Sequence, residues 1–164
     1  MKQVLFLYNP QSGKGKIEKD SQAIGEMFRQ AGYSIVDGPI DFSRNPFNGH
    51  ETVDLVVVAG GDGTVNEVAN GIAGYANAAM TCIPIGTGND FLKNFGADYE
   101  KFLDAENLWN GKTQALDLID CSGRYCLTIA CSGIDARIAE SVHKFSANPH
   151  LSGRGSYLVS VAAN

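Results

Sequence analysis

Three short segments set glycine beside small polar residues directly behind apolar runs: Asn-Pro-Gln-Ser-Gly-Lys-Gly at 9–15, Gly-Gly-Asp-Gly-Thr at 60–64 and Gly-Thr-Gly-Asn-Asp at 86–90. The chemistry open to such residues is phosphate binding. Glycine lets the main chain come close to a ligand, and a helix that follows aims its unpaired first N–H groups at the gap. In the middle segment, Gly60, Gly61 and Gly63 leave no side chain to bar a polyphosphate, and Thr64 can cap the helix and donate its hydroxyl. Asp62 inside that loop would be repelled by bare phosphate. A magnesium ion or a water shell bridging the carboxylate to the phosphates removes the conflict, so Asp62 is a candidate metal-linked acid, reaching the ion through water.

Each of these segments has a plainer reading. Gly-Gly-Asp-Gly also serves as a tight strand-to-helix connection, and Thr64 with Glu67 makes an S/T-x-x-E capping box, the role expected of Glu67. Lys14 and Lys16 can reach a phosphate or simply be solvated. No G-x-x-x-x-G-K-[ST] loop occurs, and Asn66 stands where the third glycine of a G-x-G-x-x-G turn beginning at Gly61 belongs. His50, His143 and His150 are isolated from one another and from any serine or cysteine at motif spacing, which leaves a hydrolase triad without support. Cys82, Cys121, Cys126 and Cys131 form no C-x-x-C pair and read as small buried hydrophobes in a reducing compartment.

The elements that must position the three turns are legible from periodicity. Residues 3–8 (QVLFLY), 54–59 (DLVVVA) and 80–85 (MTCIPI) are continuous apolar runs of the kind that parallel strands buried on both faces show. Ile17, Ile24, Phe28 and Ala31 predict a helix over 15–31, stopped by Gly32 as its C′ residue. A short strand is expected at 33–36, and 37–51 reads as a loop because it is rich in turn formers. Val65, Val68, Ala69 and Ile72 mark the inner face of a second helix, and Phe91, Leu92 and Phe95 that of a short third one. Tyr99, Phe102, Leu103 and Trp109 suggest a further helix ending before Gly111. Repeated strand, glycine turn and helix give an α/β domain with a parallel sheet over 1–112, whose ligand site lies at the carboxyl ends of the strands.

Beyond 112 the pattern changes to alternation. Strands at 116–119 and 125–130 joined by the two-residue turn Ser122-Gly123 predict an antiparallel hairpin, the start of a β-rich second domain over 113–164. A segment over 133–142, a turn-rich stretch at 146–155 and a helix-like end follow.

Composition bounds the function. With 164 residues, 44% of them apolar and 19% charged, the chain is ordinary globular material, except for 19 glycines. Thirteen basic against eighteen acidic residues give a net charge of −5, so no overall positive field attracts nucleic acid or an anionic membrane. The apolar run at the amino terminus is too short for a signal peptide and the uncharged stretch 68–89 is broken by glycine, asparagine and proline, so a cytoplasmic protein is expected.

Taken together and in order, Asn9-Pro10-Gln11-Ser12-Gly13-Lys14-Gly15-Lys16, the run 60–71 (GGDGTVNEVANG) and 83–91 (IPIGTGNDF) resemble the catalytic domain of the diacylglycerol kinase family, which includes bacterial lipid kinases and the related sphingosine and ceramide kinases. GGDGT alone is shared with NAD kinases and phosphofructokinases. The NPxSG and IPxGTGNDF turns point to lipid kinases. The resemblance implies a fold of the NAD kinase/diacylglycerol kinase type and an ATP- and magnesium-dependent transfer of a phosphoryl group to a lipid hydroxyl, with diacylglycerol giving phosphatidic acid as the expected reaction at the membrane surface. It implies that Asn9, Pro10, Gln11, Ser12, Gly13 and Lys14 line the nucleotide, that Gly60, Gly61, Asp62, Gly63, Thr64, Val65 and Asn66 hold its phosphates, and that Thr87 closes the site. By the same resemblance Ser43 takes the place of a family threonine near the nucleotide, and Thr128 replaces a hairpin asparagine. Family members are about twice this length, beyond a typical single domain. The general base and most magnesium ligands are therefore expected past residue 164, with this stretch weakly active or inactive alone. An uncovered hairpin edge further predicts self-association or a mobile carboxyl third. A kinase of soluble substrates, NAD kinase-like, and a non-catalytic nucleotide-binding module stay open as alternatives.

Overall fold

The computed structural model describes residues 2–15, 17–75, 77–86, 88–104, 106–146 and 153–163. Four strands, β1 (Gln3–Tyr8), β2 (Ser34–Pro39), β3 (Leu55–Gly60) and β4 (Ala79–Pro84), form one parallel sheet in the order β2-β1-β3-β4. Register pairs Leu5 with Val36 and Val56, and Val57 with Thr81. Both faces are covered, which is why the strands read as unbroken apolar runs. Val4, Phe6, Val57 and Ala59 meet Ile17 and Phe28 of α1 (Ile17–Gln30) on one face. Leu5, Leu7, Val56 and Val58 meet Val65 and Val68 of α2 (Asp62–Ile72) on the other.

The first helix ends as its sequence demands. Gly32 takes a φ of +88°, its N–H donates to Arg29 O, and Tyr33 N–H donates to Phe28 O, the paired bonds that close a helix over a left-handed glycine. The chain after β2 departs from expectation. Asp37, Gly38 and Pro39 extend the strand instead of starting a loop, because the whole of β2 stays in register with β1 as far as Tyr8. The turns that follow form the expected loop, mostly exposed but anchored to the core at two points. Ile40 and Phe47 are buried, Phe47 packs edge-on against Tyr75 at 4.6 Å, and the Asn45 amide donates to Gly71 O at 3.2 Å.

The helix expected at 99–109 is two pieces: a 3-10 stretch, Gly96–Leu103, and one turn of helix, α4 (Asn107–Asn110), after the single turn α3 (Asp90–Lys93). The break sits at Asp104, which adopts extended backbone and whose carboxylate accepts the Glu106 N–H. Leu108 and Trp109 still reach the core on the α1 side.

The hairpin is present but short, pairing β5 (Ile119–Asp120) with β6 (Tyr125–Cys126). Ser122 and Gly123 have φ of +58° and +88°, the two positive values of the turn that matches strand twist. By internal contacts the chain divides into two compact units, Met1–Thr128 and Ile129–Asn164. The second holds α5 (Ile134–Ser146) and α6 (Gly153–Ala163), which pack on each other. Among the described residues no helix is long and apolar enough to cross a membrane.

Only one cysteine fits the expected buried hydrophobe. Cys82 is buried in β4, whereas Cys126 is half-buried and Cys121 and Cys131 are exposed, because Cys121 lies in the hairpin turn and Cys131 past β6. Burial, followed by the charge of Asp62, pushes the Cys82 thiol up to about 12. At pH 8 a thiol reagent should therefore label Cys121 and Cys131 in the native protein and Cys82 only in denaturant; native labelling of Cys82 would mean that β4 is not covered as described. Phe47→Ala should cost about 3–5 kcal/mol in urea denaturation. Phe42→Ala, at a side chain 54% exposed, should change stability by less than about 0.5 kcal/mol, and equal effects would reject the anchoring of the 41–52 turns.

Candidate functional site

Parallel strands deliver all their carboxyl ends to one edge, and in the order β2-β1-β3-β4 the chain reverses its direction of growth between β1 and β3. The helices that leave these two strands go to opposite faces, so a crevice opens between their loops. Asn9 spans it. Its N–H donates to Ala59 O at 3.0 Å, continuing the β1–β3 ladder by one bond, and its carbonyl accepts the Ser12 N–H at 2.9 Å. In its side chain, Oδ1 accepts the Gln11 N–H at 3.0 Å and Nδ2 donates to Thr64 Oγ1 at 3.1 Å. One residue thus folds the first turn and ties it to α2.

Behind that turn, Ser12–Gly15 is a 3-10 turn containing Gly13 at φ +61°. Any Cβ on Gly13 would collide with the Ile85 side chain, so the first turn lies directly on the loop after β4. Lys14 belongs to the same turn, whereas Lys16 and Thr87 lie outside the described residues. The loops after β3 and β4 also touch. A Cβ on Gly86 would stand 2.5 Å from the Gly61 Cα, a separation that only glycine permits.

The helix after β3 starts three residues earlier than a capping box at Thr64 requires. Gly61 is its N-cap, with extended backbone at φ −92° and ψ −176°, and Val65 N–H donates to Gly61 O. Thr64 therefore sits inside the first turn, buried, with its hydroxyl accepting from Asn9, and Glu67 pairs instead with Arg124. No side chain caps the helix. The amides of its first turn carry their donors to the crevice, where the helix dipole favours an anion. Gly63 is exposed, and a side chain there would point into open space. Val65 is buried in the core, so only its main chain faces the site.

Asp62, the first residue of α2, reaches across rather than down its own helix. Its Oδ1 accepts the Asp90 N–H at 2.6 Å, at the start of α3, and its Oδ2 lies against Gly88, where a side chain would displace it. Asn89 makes this possible by taking φ +53° and donating from Nδ2 to Gly86 O at 2.9 Å. Asp90 in turn holds Lys93 Nζ at 2.6 Å, a bond that raises the lysine pKa. Pro10, Gln11 and Ser12 ring the crevice at partly to fully exposed positions. Ser43 is occupied elsewhere, bonding Asp41 through both its N–H and its hydroxyl.

Asn66 occupies the second turn of α2, with its amide on the hairpin: Nδ2 donates to Tyr125 O at 3.3 Å and Oδ1 accepts the Leu127 N–H at 3.1 Å. Asn70, one turn further on, shares that work. Sequence reasoning passed over Asn70, Asn89 and Asp90. The i,i+4 spacing of Asn66 and Asn70 was the available signal for a shared helix face.

This geometry fits phosphate oxygens: donors from a helix without a side-chain cap among the described residues, and glycine on both neighbouring loops. It also fits a magnesium ion carried by phosphates, which takes one or two carboxylates and keeps its waters. Asp62 offers Oδ2 for that role. Among the described residues no three His, Cys, Asp or Glu side chains gather closely enough to hold a metal by themselves. Two hollows lie apart from the crevice, neither including Asn9 or 60–64, and the larger opens at the amino ends of the strands beside Lys2, Asp54 and Ala79. One of about 160 Å³ is lined by Asp37, Asp41, Arg44 and His50, and one of about 710 Å³ runs along β4 beside Phe95, Phe102 and Trp109.

Comparison with known proteins gives matches over most of the chain. The diacylglycerol kinase catalytic domain, as a family model, matches residues 3–121. A diacylglycerol kinase of Bacillus subtilis (strain 168) is 34% identical over 140 residues, covering 81% of this chain and 46% of the relative. One from Staphylococcus aureus (strain MRSA252) is 30% identical over 141 residues, covering 80% and 44%. Among solved structures, a diacylglycerol kinase from Bacillus anthracis (strain Sterne) superposes with a TM-score of 0.64 at 25% identity, over 89% of this chain and 54% of that one. The chain therefore spans about half the length of the relatives it matches, and it belongs to the diacylglycerol kinase catalytic-domain family.

Proposed function

We propose that this chain is the nucleotide-binding part of an ATP-dependent lipid kinase that transfers the γ-phosphoryl group of Mg·ATP to the hydroxyl of diacylglycerol, giving phosphatidic acid and ADP. The observation that carries this reading is the meeting of three glycine turns at the β1/β3 crevice, with the first-turn amides of α2 uncapped. In the transfer, the bond from the γ-phosphorus to the bridging oxygen breaks, one to the lipid oxygen forms, and the hydroxyl proton leaves to a base. Positioning and charge stabilisation do most of such work.

Within this assignment Asn9, Pro10, Gln11, Ser12, Gly13 and Lys14 line the nucleotide, and Gly60, Gly61, Gly63 and Thr64 cradle its phosphates. The α2 amides donate to phosphate oxygens and orient the chain of phosphates along the crevice. Asp62 would hold a magnesium ion through water, and the ion would supply neutralisation of the phosphate charge. Residues 1–112 form the nucleotide-binding domain in this scheme and 113–164 the first elements of the lipid-binding one. A soluble protein meeting its lipid at the membrane surface suits the absence, among described residues, of a spanning helix.

Calorimetric titration with Mg·ATP should show binding in the roughly 1 µM to 1 mM range usual for enzyme substrates. Asp62→Asn keeps an acceptor for the Asp90 N–H and deletes the charge. It should weaken Mg·ATP by about tenfold and leave metal-free ATP unchanged or tighter, as expected when a carboxylate faces either a cation or bare phosphate. Absence of Mg·ATP binding by the wild type would sink the nucleotide assignment. Equal affinities for the two proteins would remove Asp62 from it.

Radiolabelled ATP offered to the full-length protein with dispersed diacylglycerol and, separately, with NAD tests the acceptor. Label is expected in the lipid; label in NAD instead would favour a soluble-substrate kinase, and none in either a binding module.

A further inference from the structure

The strongest unassigned constellation lies between α2 and the hairpin. In an antiparallel ladder, pairs that exchange hydrogen bonds alternate with pairs that do not. Cys121 and Arg124 exchange both bonds, so Tyr125, opposite Asp120, turns its N–H and C=O away from β5. That outer edge is met by side chains. Asn70 Oδ1 accepts the Tyr125 N–H at 2.7 Å, Asn70 Nδ2 donates to Tyr125 O at 2.8 Å, and Asn66 takes Tyr125 O and the Leu127 N–H. Asn70 Nδ2 also donates to the main-chain carbonyl of Asn66 at 2.8 Å, which fixes the Asn70 side chain against its own helix. A carboxamide has the donor and acceptor of a peptide group, so two of them one helical turn apart imitate a neighbouring strand. Arg124 adds an ion pair to Glu67 on the same helix.

We infer that Asn66 and Asn70 are positioning residues: they bolt β6 to the helix whose first turn bears the phosphate loop, so that hairpin and nucleotide site are held as one body. The inference rests on the kinase reading for its consequence in catalysis, while the bolt itself rests on geometry alone. Four observations converge on it: both polar groups of Tyr125 and the Leu127 N–H are satisfied, Asn70 uses both its amide hydrogens and its amide oxygen, Leu127 packs against the α2 side of the core, and Arg124 pairs with Glu67. A residue that acts by placing the hairpin should affect transfer and spare nucleotide affinity.

The test compares wild type, Asn70→Ala, Asn66→Ala and the conservative Asn70→Asp, each in the full-length protein, by amide hydrogen exchange, Mg·ATP titration and phosphoryl transfer to dispersed diacylglycerol. Asn70→Ala should speed exchange at Tyr125 by about tenfold or more, the scale of one lost hydrogen bond. Exchange at Val57 in β3 should not change. Mg·ATP affinity should stay within about threefold, while kcat for transfer falls by about tenfold with KM for ATP unchanged. Asn70→Asp, which keeps the acceptor, should restore protection at Tyr125 and part of kcat. Wild-type exchange at Tyr125 in both alanine variants overturns the inference. So does a tenfold loss of Mg·ATP affinity with hairpin exchange untouched, which would make these residues nucleotide contacts. If wild type itself binds no Mg·ATP, the kinase reading fails, and the exchange data still decide for or against the bolt.

Discussion

The contact on which the site depends is main chain against main chain: Gly61 and Gly86 approach so closely that a methyl group on the latter would stand 2.5 Å from the Cα of the former. This distance fixes how far apart the loops after β3 and β4 can be. It brings the Asp62 carboxylate within reach of the Asp90 amide and leaves the first turn of α2 uncovered. A side chain at Gly86 would part the loops, break the Asp62 bridge and widen the crevice. The sheet beneath supplies the rigidity, because strands buried on both faces cannot shift singly without opening the close-packed core.

Charge is arranged against the chain's own balance. The protein is acidic, with Asp62 and Asp90 both beside the crevice, yet the groups aimed into the crevice are donors from α2, and Lys93 is held close by Asp90. An anion is thus offered local amides rather than a surrounding positive field, which makes recognition short in range and dependent on geometry. The Asp62 charge also reaches Cys82 below, where burial has already made the thiolate unfavourable.

Most of the fold could be read in advance because its strands are apolar runs bounded by glycine, and Gly32 ends α1 where a C′ residue should. What could not be read were choices settled by distant partners. Thr64 and Glu67 have the spacing of a capping box, but Asn9 claims the hydroxyl of one and Arg124 the carboxylate of the other, over 55 and 57 residues of chain. Asp37, Gly38 and Pro39 look like a turn and become strand because β1 supplies a ladder beside them. Phe47 lies among turn formers with no periodicity to mark it, and it enters the core through the Asn45 bonds. The glycine loops of the site were legible by type; their mutual contacts, and the part of Asn89 in folding one loop back on itself, belong to tertiary structure alone.

The amides that edge β6 read peptide groups and ignore what hangs from them. Residues 125–127 can therefore drift in sequence over evolutionary time without losing their seat, so long as the strand stays extended and neither Tyr125 nor Leu127 becomes proline, which has no N–H to give. The pressure falls instead on the two asparagines. Variation among descendants of this chain should be spread across the hairpin and nearly absent from the helix face beneath it, and a different hairpin grafted onto the same helix would find its docking edge already in place.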